Sequence, residues 1–134
     1  APPCVAGTFH SSAILSLGLD DDVYEPKHCS LQIGFILRKL DVVLSTLNAT
    51  HSDIISMTAH VVDIHKNGQD VLKAHCNYMA GKGNATRSVC SWTMVGVSGL
   101  LPEGCLVQLE VKAIVRRGPA NSLILDRPYG GVKI

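Results

Sequence analysis

Charge is scarce and evenly balanced in this sequence: charged residues make up 17% of the chain, and twelve Lys and Arg against eleven Asp and Glu leave a formal charge of +1. No stretch gathers basic side chains into a track for phosphates, so charge gives nucleic-acid binding no support. Aromatic residues are rarer still, at 4%, which leaves little with which to stack unpaired bases. No apolar run approaches the roughly 18 residues needed to cross a bilayer, so no membrane span is expected. Cys4, Cys29, Cys76, Cys90 and Cys105 are odd in number and scattered, without a C-x-x-C pair. That spacing argues against a disulfide framework and fits reduced thiols in the cytoplasm. Residues 1–5 carry neither a basic n-region nor a long apolar h-region, so they do not read as a secretory signal.

The usual motifs of metal and cofactor chemistry are missing too. The six histidines, His10, His28, His51, His60, His65 and His75, form no H-E-x-x-H and no His-x-x-Cys cluster, and His60 and His65 read as ordinary strand residues rather than ligands. His75 and Cys76 are neighbours on a predicted helix and therefore point apart, which defeats a simple nucleophile–base pair. Gly81, Lys82 and Gly83 lack the spacing of a phosphate loop and read as a helix stop. Asn48-Ala49-Thr50 and Asn84-Ala85-Thr86 match the glycosylation pattern, which matters only in a secreted chain. No cofactor and no metal are expected.

What the sequence does have is enough apolar material, 46% of 134 residues, for one self-supporting core. Cys4 to Phe9 and Ala13 to Leu19 read as two strands, with His10, Ser11 and Ser12 as a hairpin-like connection. Asp20, Asp21 and Asp22 break the pattern, and Pro26 suits the first turn of a helix, whose positive start the three acids would favour. From Lys27 to Leu47, apolar residues recur at helical spacing, with Asn48 able to close the helix in a left-handed conformation. Ile54 to Ile64 alternates, setting Ile55, Met57, Ala59 and Val61 against Ser56, Thr58 and His60, so this strand has a half-polar face. Asn67 and Gly68 punctuate, and Asp70 starts a second helix of about three turns that runs through Met79. Val89 to Val97 and Leu106 to Val115 complete the pattern as strands around a turn holding Gly99, Pro102 and Gly104. The order strand, strand, helix, strand, helix, strand, strand predicts an α+β fold with a mixed sheet and βαβ crossovers. Residues 1–117 form the domain and 118–134 an extension, in which Leu123, Ile124 and Leu125 are apolar enough to dock.

Glu110 is the most informative acid, because it interrupts the apolar run of Leu106, Val107, Leu109 and Val111, where an unpaired charge is costly to bury. Alternation puts Gln108, Glu110 and Lys112 on one polar face. Around this point a family resemblance appears. The segment from Asp53 through Thr58-Ala59-His60-Val61-Val62-Asp63 resembles the strand of the Rid (YjgF) family, in which an acidic start leads through V-x-x-T-x-x-V to a closing Asp. Gln32 and Leu47-Asn48-Ala49 in the preceding helix match as well. Thr93-Met94-Val95-Gly96-Val97-Ser98-Gly99-Leu100-Leu101-Pro102, followed by Leu106 to Val115, is similar to the family's final strand pair.

The resemblance implies a chorismate-mutase-like two-layer fold with two helices on one face of the sheet. It also implies a homotrimer whose sheets line a central barrel, with small-molecule sites in the clefts between subunits. The best-described members hydrolyse reactive enamines or imines to 2-oxo acids and ammonia. Glu110 matches the family's glutamate, the group that positions water or shuttles a proton. The family's carboxylate-holding Arg falls, by ungapped matching, on Thr93, and Arg87 lies six residues earlier. With an insertion Arg87 enters the cleft, since Arg87-Ser88-Val89 resembles the R-S-x start; without one the anchor is lost. Phe9 is the counterpart of the cleft aromatic, Val89 and Cys90 fall near the family's frequent cysteine, and Leu17-Gly18-Leu19 replaces the usual Ser-Gly-Gln. Two functions follow: an enamine/imine deaminase with Glu110 and Arg87 as catalytic residues, or a non-catalytic trimer binding a small carboxylate or imine.

Overall fold

A computed structural model describes residues 5–11, 13–18, 22–81 and 90–117. Strands β1 (Val5–His10) and β2 (Ile14–Leu15) lead to helix α1 (Cys29–Thr46). Strand β3 (Ile54–Val62), helix α2 (Ile64–Gly81) and strands β4 (Ser91–Val97) and β5 (Val107–Arg117) follow. The sheet runs β1-β5-β3-β4, with β2 also on β5. β5 is antiparallel to β1, β2 and β3, whereas β3 and β4 are parallel and joined by α2 as a crossover. The fold is therefore α+β, a mixed sheet with two helices. Met57, Ala59 and Val61 of β3 pair with Val111, Leu109 and Val107 of β5, and this one face packs with Ile33, Ile36, Leu37, Leu40 and Leu44 of α1 and Val71 of α2 into the core. No described helix is long and apolar enough to cross a membrane.

The apolar stripe makes α1 what the sequence predicted, and its C-terminus closes as Asn48 promised, with φ of 55°. Asn48 N–H donates to the Ser45 carbonyl and Ala49 N–H to the Leu44 carbonyl, the paired bonds of a Schellman ending. Its start differs. The helix begins at Cys29 with no acid in its first turn, and Pro26 sits between two residues of positive φ, Glu25 and Lys27. The Glu25 carbonyl is held by the fully buried Gln32. Gln32 Nε2 donates to the Glu25 carbonyl at 3.1 Å and the Gly104 carbonyl at 2.9 Å, while Leu106 N–H donates to its Oε1 at 2.8 Å. One amide thus ties the entry to α1 to the turn before β5, where Gly104 takes φ of 100°, a value that favours glycine.

Three further expectations change. The first two strands do not form a hairpin: β1 and β2 run in the same direction along β5. Ser11 sustains that line by donating its N–H to the Val111 carbonyl and accepting the Val111 N–H on Oγ, both at 2.9 Å. Ile55 is exposed rather than core, because a bulge sets two β3 residues against one of β5 between Ile54 and Ser56. Helix α2 starts at Ile64, so His65, Asn67 and Gly68 are helical. Asn67 is buried and donates from Nδ2 to the Val62 carbonyl at 2.7 Å, which satisfies the strand end from within the helix. Ile64 also presses against β4: a Cβ on Gly96 would stand 2.9 Å from Ile64 Cγ2, so only glycine fits this approach.

Candidate functional site: the helix-free face of the sheet

Strand alternation sends the polar residues of β3, β4 and β5 to the face opposite the described helices. Pairing places them in rows. Thr93 of β4, Thr58 of β3 and Glu110 of β5 stand side by side. The next row holds Val95, His60 and Gln108, and the row on the other side Ser91, Ser56 and Lys112. Glu110 and Thr93 are exposed and Thr58, His60 and Gln108 half-buried. Two strand spacings put Thr93 and Glu110 about 10 Å apart at the backbone, with the short Thr58 between them. Thr58 is thus flanked by a carboxylate on one side and a second hydroxyl on the other. Among the described residues the Glu110 carboxylate has no hydrogen-bond or ion-pair partner. Gln108 Nε2 lies 3.2 Å from His60 Nδ1.

Of the predicted site residues, Glu110 and Thr93 therefore come together in one row. Phe9 does not join them: it pairs with Ala113 and packs against the core on the helix side. Cys90 also packs against the core, and burial raises its thiol above the ordinary range. Arg87 and Val89 lie outside the described residues. Sequence reasoning missed Thr58 and Gln108 as members of the site. Both were visible on polar faces, but the register that aligns those faces was not. No three His, Cys, Asp or Glu side chains among the described residues are grouped as a metal site requires. His75 is on the helix side, stacked on Trp92 at 3.9 Å between ring centres, and burial lowers its affinity for a proton.

No protein-family model matches the chain, and no curated protein does. Solved structures do. A Rid-family protein of unknown function from Yersinia pestis, YyfA, is 27% identical over 80% of this chain and 79% of its own, with a TM-score of 0.67. The chain has the fold of the Rid family and is similar in sequence to one of its members. The same fold appears in a member of the YjgF/YER057c/UK114 family from Mycobacterium tuberculosis, with 23% identity, a TM-score of 0.63 and coverage of 81% of this chain and 79% of that one. Yeast Mmf1 shares it at 16% identity and a TM-score of 0.68, over 81% and 79% of the two chains. Within the Rid fold, the row of Glu110, Thr58 and Thr93 occupies the last antiparallel strand pair and its parallel neighbour.

Proposed function

We propose that this Rid-fold protein is an enamine/imine deaminase that works as a homotrimer in the cytoplasm, hydrolysing small reactive 2-imino acids in a cleft between subunits. The observation that carries the reading is Glu110, an exposed carboxylate in the middle of a strand, on the helix-free face, with Thr58 beside it and Thr93 one strand further on. A carboxylate positioned there can take a proton from a water molecule held above Thr58. The oxygen of that water bonds to the imine carbon as the C=N pair shifts to nitrogen. Glu110 returns that proton to nitrogen to give the carbinolamine, and transfer of the carbinol hydroxyl proton to nitrogen then breaks the C–N bond, releasing ammonia as the C=O of the 2-oxo acid forms. Arg87 holds the substrate carboxylate in a charge-assisted fork. No cofactor or metal enters this scheme.

A second reading rests on Thr93, which stands in β4 where ungapped matching to the family places Arg. If Thr93 is the true counterpart, the same cleft binds a small carboxylate or imine without turning it over. Ammonia release from freshly generated 2-iminobutanoate separates the two. Release faster than in buffer, lost in Arg87→Ala, supports the deaminase with Arg87 as anchor. No acceleration by the native protein, together with saturable binding of 2-oxobutanoate, moves the assignment to the binding protein.

A further inference from the structure

Gln108 and His60 face one another across β5 and β3, one row from Glu110 and Thr58. A primary amide nitrogen has hydrogens to give and no lone pair to offer. The 3.2 Å contact from Gln108 Nε2 to His60 Nδ1 therefore makes Nδ1 the acceptor. A neutral ring held this way carries its one proton on Nε2, because the bond made by one nitrogen sets the state of the other. His60 in this tautomer presents Nε2–H as a hydrogen-bond donor on the helix-free face. It is also a diagonal neighbour of Glu110, and diagonal pairs stand about 7 to 8 Å apart, close enough for two long side chains to meet one small molecule.

Neutrality matters in this position. An imidazolium beside Glu110 would draw the carboxylate into an ion pair and weaken it as a base, whereas a neutral N–H leaves the carboxylate basic and still polarises an acceptor. We propose that His60 is a catalytic residue of this protein: its Nε2–H hydrogen-bonds the imine nitrogen while Glu110 activates water, and Gln108 is the positioning residue that fixes its tautomer. The inference rests on the deaminase reading. His60 keeps its proton throughout. Glu110 removes a proton from water as the C–O bond forms, that proton passes to the nitrogen, and a second transfer from the carbinol hydroxyl to nitrogen breaks the C–N bond. Water is consumed, ammonia and a 2-oxo acid are released, and nothing is oxidised or reduced.

Two measurements test it. In protein labelled with nitrogen-15 at histidine, long-range proton–nitrogen correlations are expected to show His60 as the Nε2–H tautomer, and Gln108→Leu is expected to mix the two tautomers. An Nδ1–H ring in the native protein overturns the proposal. In the ammonia assay with 2-iminobutanoate, His60→Leu is expected to lose about 100-fold in kcat, the scale of removing one donor aimed at developing charge, with little change in KM. His60→Gln, which restores an N–H donor, is expected to recover part of that loss. Native turnover in His60→Leu, with turnover abolished in Glu110→Gln, overturns the role of His60 and leaves the deaminase standing. No turnover by the native protein overturns both.

Discussion

Replacing Gln32 by Leu keeps nearly the same volume at a fully buried position while deleting three hydrogen bonds, two donated to the Glu25 and Gly104 carbonyls and one accepted from Leu106 N–H. At a net of about 1 kcal/mol per bond the loss is ~3 kcal/mol. The Leu106 N–H and the Gly104 carbonyl are then left without this partner, which pushes the cost up rather than down. Against a domain stability of about 5 to 15 kcal/mol this is a large fraction, and for a chain of this size it corresponds to a fall in Tm of roughly 10 °C. Thermal unfolding of Gln32→Leu and the native protein measures it, with both at one protein concentration because self-association shifts apparent stability. A Tm within about 2 °C of native, on the same scale, would refute the view that this amide clamps the entry of α1 to the turn before β5.

Three other outcomes follow from the packing. Gly96→Ala is expected to destabilise by about 1 to 3 kcal/mol, the cost of overpacking, because its Cβ would meet Ile64 Cγ2 at 2.9 Å. Adding Ile64→Ala is expected to remove most of that increment, and equal effects of Gly96→Ala in both backgrounds would contradict the contact; urea unfolding reads both. Burial holds His75 below its ordinary value, so the unfolded chain takes up a proton near pH 6.5 while the folded chain resists. Stability from this source is full above that pH and is lost as pH falls below it. The drop in urea midpoint between pH 7.5 and 5.5 should accordingly be smaller in His75→Phe, which keeps a ring on Trp92. Burial, aided by the charge of Asp70, pushes the Cys29 thiol up to about 11. A thiol reagent at pH 8 is therefore expected to label the exposed Cys76 in the native protein and to reach Cys29 only after unfolding, as peptide mass spectrometry would show.

The elements legible in the sequence were those whose signals are local and repeated. The helical stripe from Leu31 to Leu47, the left-handed Asn48 and the alternation around Met57 each follow from periods that a chain imposes on itself. What escaped depended on partners distant in sequence. Asn67 and Gly68 read as punctuation, yet the Val62 carbonyl and the close approach of Ile64 to β4 draw them into α2. Ser11 read as a turn residue, yet it substitutes for a ladder partner of Val111. At the site, Glu110 and its polar neighbours were visible as a face of one strand and Ser56, Thr58 and His60 as a face of another. Only the β3–β5 register sets Thr58 opposite Glu110 and His60 opposite Gln108. A one-residue slip would turn one set to the core, so the composition of each face was readable and its assembly into a site was not.

The most direct test of the deaminase is Glu110→Gln, which keeps the shape of the side chain and removes its basicity. The substitution lies on an exposed position, so Tm should stay near native and folding should not confound the result. Steady-state ammonia release from freshly generated 2-iminobutanoate is expected to fall by about 10² to 10⁴, the usual contribution of a positioned acid–base group, while 2-oxobutanoate still binds. Release by Glu110→Gln at the native rate would contradict the assignment of Glu110 as the base.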